Sequence, residues 1–167
     1  MLFGDGSLRP RQTGHAKDSL AIPKPEQVMI SYDPNNIFAR ILRAESPCYK
    51  VYEDNKALAF LDIMPRAPGH TLVIPKAPAQ NLLDVDPDDL AHLIKVSQRI
   101  AKAGMKVFNA GGITLLQFSE PAGGQVVFHL HIHVIPRHDK VELRPPETYK
   151  APAAELAEHA AKLAAAI

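Results

Sequence analysis

Residues 129–137 run His129-Leu130-His131-Ile132-His133-Val134-Ile135-Pro136-Arg137, three histidines in strict alternation with aliphatic residues. A period of two belongs to a β-strand, whose successive side chains leave opposite faces. His129, His131 and His133 therefore share one face, and Leu130, Ile132 and Val134 fill the other. Neighbouring imidazoles on such a face stand about 6.5 to 7 Å apart. Packing alone gives no reason for three imidazoles in a row beside a core-facing aliphatic stripe. Their chemistry does.

The rest of the chain gives that strand its setting. At 167 residues with one cysteine, Cys48, the chain fits one domain with appendages and has no disulfide framework. A formal charge of +1 offers no field for a nucleic-acid or membrane partner. The start, Met1-Leu2-Phe3-Gly4-Asp5-Gly6, has no signal-peptide pattern, and no segment approaches a membrane span. These features together read as a soluble, cytoplasmic protein. Residues 1–36 are polar, rich in glycine and proline, and without sustained periodicity, so they read as an N-terminal extension.

From Ile37 the pattern becomes periodic. Residues 37–42 form a short helical candidate with Phe38, Ile41 and Leu42 on one side. Strands are expected at 49–53, 57–61, 71–75, 112–118 and 126–135, with Asp54-Asn55 at the first turn. A long helix is expected from Pro87 to about Ala103. Asp86 is its cap, Gly104 its end, and Leu90, Leu93, Ile94, Ser97, Ile100 and Ala101 its inner stripe. Residues 141–167 form a C-terminal extension in which, after Pro145-Pro146, a helix is expected from about Pro152 with a thin seam of Leu156 and Leu163. Hairpins with one long helix among them argue for an α+β domain on an antiparallel sheet over residues 37–140.

The histidine face is open to three readings. Each ring could be a satisfied, partly buried polar group. Two could bind zinc, although no neighbouring Asp, Glu or Cys completes a ligand set. Or a neutral imidazole attacks phosphorus while its neighbours handle protons. The preceding Gly123-Gly124, able to bring backbone N–H groups near an anion, with Gln125 beside it, favours the third.

The run from Gly124 to Ile135 resembles the signature of the histidine-triad (HIT) superfamily. Ile37-Phe38-Ala39-Arg40-Ile41, Tyr52-Glu53-Asp54, Phe60-Leu61-Asp62-Ile63 and Pro68 to Lys76 resemble blocks of its Hint-type branch, so about 100 residues are covered in order. The resemblance implies a HIT-like fold with a five-stranded antiparallel sheet, a homodimer built on the long helix and an edge strand, and a hydrolase or transferase of nucleotide conjugates. It makes His131 the nucleophile that attacks the α-phosphorus and carries a covalent nucleotidyl group. His129 and His133 become its catalytic partners, and Gln125 a phosphate or leaving-group contact. Asp62 matches a ribose-binding acid, and Phe38, Ile41, Phe60 and Ile63, with Ile37 beside them, match an apolar base slot. His70 matches a histidine near the phosphate. Gln117 and Ser119 are the candidates for a phosphate-binding position that is asparagine in relatives.

The expected substrate is a purine nucleotide conjugate such as an adenosine phosphoramidate, with no cofactor and no metal. The alternatives are a diadenosine polyphosphate hydrolase, or a nucleotide-binding regulatory protein with little turnover. Two departures matter. Asn36-Ile37-Phe38-Ala39 stands where many relatives carry Cys-x-x-Cys, so their structural zinc has no thiolates here, and Val126 stands where relatives often have a serine or threonine that assists the leaving group.

Overall fold

A computed structural model describes residues 32–167. The expected N-terminal extension therefore lies, up to residue 31, outside the described residues. The chain runs α1 (Ile37–Leu42), β1 (Lys50–Glu53), β2 (Ala57–Leu61), β3 (Thr71–Pro75), α2 (Pro87–Val107), β4 (Gly112–Leu116), a 3₁₀ turn (Pro121–Gly123), β5 (Ile132–Arg137) and α3 (Ala153–Ala164). The five strands form one antiparallel sheet in the order β1-β2-β3-β5-β4. This is the α+β architecture expected.

Each face of the sheet has its own apolar layer. On one face α2 and α3 cover Ala59, Val73, Leu130, Ile132 and Val134, all buried. The aliphatic half of the histidine run thus lies in the core, where full burial of a Leu or Ile side chain stabilises by about 1.5–3 kcal/mol. Leu156, Ala160 and Leu163 bring α3 into that same core, so the seam of the C-terminal helix is structural. On the other face α1 lays Phe38 over Leu58, Phe60, Leu72 and Ile74. Asn36, at the first position of the Cys-x-x-Cys block, caps α1 by accepting from the N–H groups of Phe38 and Ala39 at 3.0 and 2.9 Å.

Several boundaries differ from expectation. Helix α2 begins as expected, with Asp86 capping and Pro87 in the first turn, but passes through Gly104 to Val107. A Cβ at Gly104 would lie 3.3 Å from Pro136, so that glycine serves close helix–strand packing and not termination. The buried stripe is Leu93, Val96, Ser97, Ile100, Ala103 and Gly104. Ile94 is 49% exposed, outside it. Strand β4 stops at Leu116, two residues short of expectation.

Strand β5 is the largest correction. It spans Ile132–Arg137 instead of 126–135, so His129 and His131 precede the ladder. The Leu130 N–H donates to the carbonyl of Ala79, in the segment after β3, which bends residues 127–129 away from strand geometry. At the far end Pro136 is tolerated because β3 pairs only with Ile132–Val134, leaving that side of Pro136 without a partner strand.

Candidate active site

One cross-strand row makes the floor of a cleft. Phe60 pairs with Leu72, Leu72 with His133, and His133 with Leu116, so these four side chains cross β2, β3, β5 and β4 on one face. Above them opens a cleft of about 980 Å³, at the upper end of ligand-site volumes. Helix α1 contributes Ile37, Phe38 and Ile41 to its wall, and the β2–β3 loop contributes Asp62, Ile63, Arg66 and His70. His131 and His133 face into it. The fold therefore gathers nine of the expected site residues around one cavity: these two histidines, the three of α1, Phe60, Asp62, Ile63 and His70.

Four expected site residues are absent from the lining. Gln125 is buried. Its amide donates to the carbonyls of Gln80 and Val127, while its oxygen accepts from Asn81 and from the Glu120 N–H. Gln117 donates to the Phe118 carbonyl and accepts from Ser119, so both bind their own loop. His129 is fully buried behind the cleft. The glycine turn departs from expectation as well. The N–H of Gly123 donates to the Glu120 carbonyl and that of Gly124 to Pro121, closing the 3₁₀ turn and leaving neither for an anion.

Hydrogen bonds to the backbone assign the proton on each ring. A carbonyl only accepts, so His131, 2.7 Å from the His129 carbonyl, carries its hydrogen on Nδ1. Its Nε2 has a free lone pair and no partner among the described residues. The neighbouring ring has the complementary form. The Arg66 N–H donates to His70 Nδ1 at 3.2 Å, so the His70 hydrogen sits on Nε2 and is donated to His133 Nδ1 at 2.8 Å. His133 then offers Nε2–H. The His131 and His133 rings lie 5.0 Å apart, closer than two residues on an ideal strand, because His131 stands outside the ladder. An acceptor and a donor thus sit side by side.

All of these rings are neutral at neutral pH. Burial pushes His70 and His133 down to about 3 and His129 to about 4, and lowers His131 as well. The positive neighbour Arg66 adds to the shift of His70, and His131 and His70 add to that of His133. In an unfolded chain these rings titrate near 6.5, so below that pH the unfolded state binds more protons and stability falls with pH. For His70, His129 and His133 the contribution is complete above about 6.5 and is lost on approach to 4 and below, at roughly 1.4 kcal/mol per pH unit for each ring. Thermal melts between pH 7 and 5 are expected to show a falling Tm; a flat Tm across that interval would contradict neutral buried rings.

The fold brings two residues from the β2–β3 loop to one histidine of the row. One atom each from Asp62, His70 and His133 lies within 4.8 Å of the others, a possible divalent-metal group. His70 Nε2 and His133 Nδ1 bond each other, and His70 Nδ1 lies 3.5 Å from an Asp62 carboxylate oxygen.

Comparison with known proteins follows the same lines. The HIT domain family model matches residues 43–140, more than half of the chain. The chain belongs to the HIT domain family. A HIT-like protein of Bartonella henselae, described as involved in cell-cycle regulation, superposes with a TM-score of 0.80 at 52% identity, over 83% of this chain and 100% of that one. A hypothetical histidine triad nucleotide-binding protein of Sulfolobus tokodaii superposes at 0.71 with 34% identity, over 77% and 89% of the two chains. Adenylylsulfatase HINT3 of Arabidopsis thaliana is 35% identical over 131 residues, 78% of this chain and 66% of that protein. Within this HIT protein, several cleft residues went unrecognised in sequence. Leu72 and Leu116 are visible only through strand register, and Pro146 and Glu147 arrive from beyond β5.

Proposed function

We propose that this HIT protein hydrolyses nucleotide conjugates, adenosine phosphoramidates or other purine nucleoside monophosphate conjugates, through a covalent nucleotidyl group on His131. The observation that carries the reading is the bare Nε2 of His131, held by Nδ1–H to the His129 carbonyl and aimed into a nucleotide-sized cleft. In the first step Nε2 bonds to the α-phosphorus and the phosphorus–leaving-group bond breaks, its electron pair going with the leaving group. The charge that His131 gains is stabilised by the carbonyl dipole on its Nδ1–H; water then bonds to the phosphorus, the phosphorus–Nε2 bond breaks with its electron pair returning to the ring, and the water's proton passes to solvent as the nucleoside monophosphate is released. His133 Nε2–H donates to a phosphoryl oxygen. Asp62, whose carboxylate accepts from the Met64 N–H, takes the ribose hydroxyls, while Phe38, Ile41, Phe60 and Ile63 sandwich the base and Ile37 lies at the slot's edge. His70 orients His133. Gln125, Ser119 and Gln117 support the loop, and His129 supports the nucleophile from behind.

The cleft wall also bears on the leaving group. Arg66 is the one cationic side chain among the described residues that line it, so a polyphosphate chain meets little positive charge. This favours single-phosphate conjugates over diadenosine polyphosphates. The test is AMP release from adenosine 5′-phosphoramidate, adenylyl sulfate and diadenosine tetraphosphate at equal concentration. Faster turnover of the first two is expected, and no AMP from any of them would refute a hydrolase. Tight AMP binding in that case would favour the second reading, a nucleotide-binding protein with little turnover. Val126 supports it: 75% exposed at the cleft, it offers no hydroxyl to a leaving group.

We also infer a homodimer. Strand β4 is a sheet edge, and Leu115 on it is 46% exposed; Ile94 and Met105 of α2 are 49% and 37% exposed. Leu115 pairs with core-facing Val134, which puts it on the helix-covered side of the sheet with α2. A second copy burying this edge closes the β4 ladder and removes the apolar group from water. Sedimentation at micromolar concentration is expected to give twice the chain mass, and the monomer mass would contradict it. No helix among the described residues is long and apolar enough to cross a membrane. A lone, half-buried thiol at Cys48 suits a cytoplasmic site of action.

A further inference from the structure

We propose that Tyr32 is a positioning residue for the nucleophile, acting through His129 to fix the carbonyl that orients His131. The inference rests on His131 being the attacking group.

Because β5 begins at Ile132, the backbone of residues 129–131 is not held by strand pairing, yet the His129 carbonyl must be placed well enough to hold His131 Nδ1–H at 2.7 Å. The Leu130 N–H, bonded to the Ala79 carbonyl at 2.8 Å, supplies one anchor. The His129 ring supplies two more. Its Nε2 lies 3.0 Å from the Pro75 carbonyl, and since a carbonyl only accepts, the hydrogen is on Nε2. Nδ1 of the neutral ring is then an acceptor, and the Tyr32 hydroxyl, at 2.7 Å, must donate to it. Both nitrogens of a fully buried ring are satisfied, one from the end of β3 and one from the segment ahead of α1.

Removing the hydroxyl leaves a buried acceptor with no donor, and the ring relieves this by turning or shifting. Either motion moves the His129 carbonyl and releases the Nδ1–H of His131, so its lone pair no longer stays on Nε2 facing the cleft. Tyr32 does not line the cleft, so substrate does not touch it. Loss of its hydroxyl should therefore act on the chemical step and spare binding. The aromatic contact, with ring centroids 5.6 Å apart, keeps a phenylalanine in place.

The test is Tyr32→Phe, with steady-state kinetics on adenosine 5′-phosphoramidate and ¹⁵N spectra of the imidazoles. About a tenfold fall in kcat, with KM within about twofold, is the loss expected of one positioning hydrogen bond. The His131 Nδ1–H signal should broaden or exchange at least about tenfold faster with water, as a released hydrogen bond requires. An unchanged His131 signal overturns the proposal, whatever happens to kcat. The unsubstituted protein gives a reading that needs no variant: His129 must show protonated Nε2 and bare Nδ1, and the reverse tautomer overturns the proposal. Neither spectrum depends on turnover, so a protein that releases no AMP would refute the hydrolase reading and still decide the role of Tyr32.

Discussion

His131→Ala is expected to lower AMP release from a phosphoramidate by roughly 10⁴-fold or more, the scale typical of losing a covalent nucleophile. AMP affinity should change little, because the groups assigned to base and ribose are held by α1, β2 and the loop after β2, and of these Phe38 loses one edge contact, its ring centroid lying 5.1 Å from that of His131. The variant should still fold. His131 sits at the cleft, and the His129 carbonyl it releases can be reached by water through the space the ring leaves. Calorimetry with AMP beside the rate assay separates the two effects. Retained binding with no turnover is the result expected; turnover within tenfold of the parent would give the chemistry to another group.

The second large effect concerns the fold. Gly69 has φ +76°, a left-handed conformation that costs any residue with a Cβ, and a Cβ built there runs into three ring carbons of Phe108. Strain and clash together predict that Gly69→Ala loses about 2–4 kcal/mol, which for a chain of this size lowers Tm by about 10 °C. The damage should reach the site. The Gly69 carbonyl accepts from the Thr71 hydroxyl, and between them His70 hands the Arg66-fixed tautomer to His133. Differential scanning calorimetry measures the first effect. Gly104→Ala is the control, since its Cβ would meet only side-chain ends, Pro136 at 3.3 Å and Ile113 at 3.7 Å, and its φ is helical. A Tm for Gly69→Ala equal to that of the parent would contradict the packing described.

Periodicity carried much of this architecture. The alternation of residues 130–134 put Leu130, Ile132 and Val134 in the core, and the Asp86-Pro87 pair started α2 at the residue expected. Periodicity reports side-chain direction, however, and not hydrogen-bonded pairing. The alternation therefore continues through His129 and His131, where the ladder has not begun. Gly104 misled for a related reason: in sequence a glycine that ends a helix looks like one that lets a helix approach a strand.

The site shows the same division. Residues on α1 and at the end of β2 fell at the cleft because their neighbours along the chain fixed their direction. Gln125, Gln117 and Ser119 did not, because a polar loop side chain binds whatever the fold brings within reach: Gln80 and Asn81, some 45 residues away, for Gln125, and their own loop for Gln117 and Ser119. Tyr32 shows the reverse case. Nothing local marks it, and its partner His129 is 97 residues distant.

The measurement that tests the central claim most directly is the intact mass of the protein after brief mixing with adenosine 5′-phosphoramidate and quenching at alkaline pH, where a phosphorus–nitrogen bond survives. An added adenylyl group, located on His131 by fragmentation, lost on acidification and absent from His131→Ala, is the result expected. AMP release with no adduct at any time, or an adduct that persists in His131→Ala, would contradict a covalent mechanism through this ring.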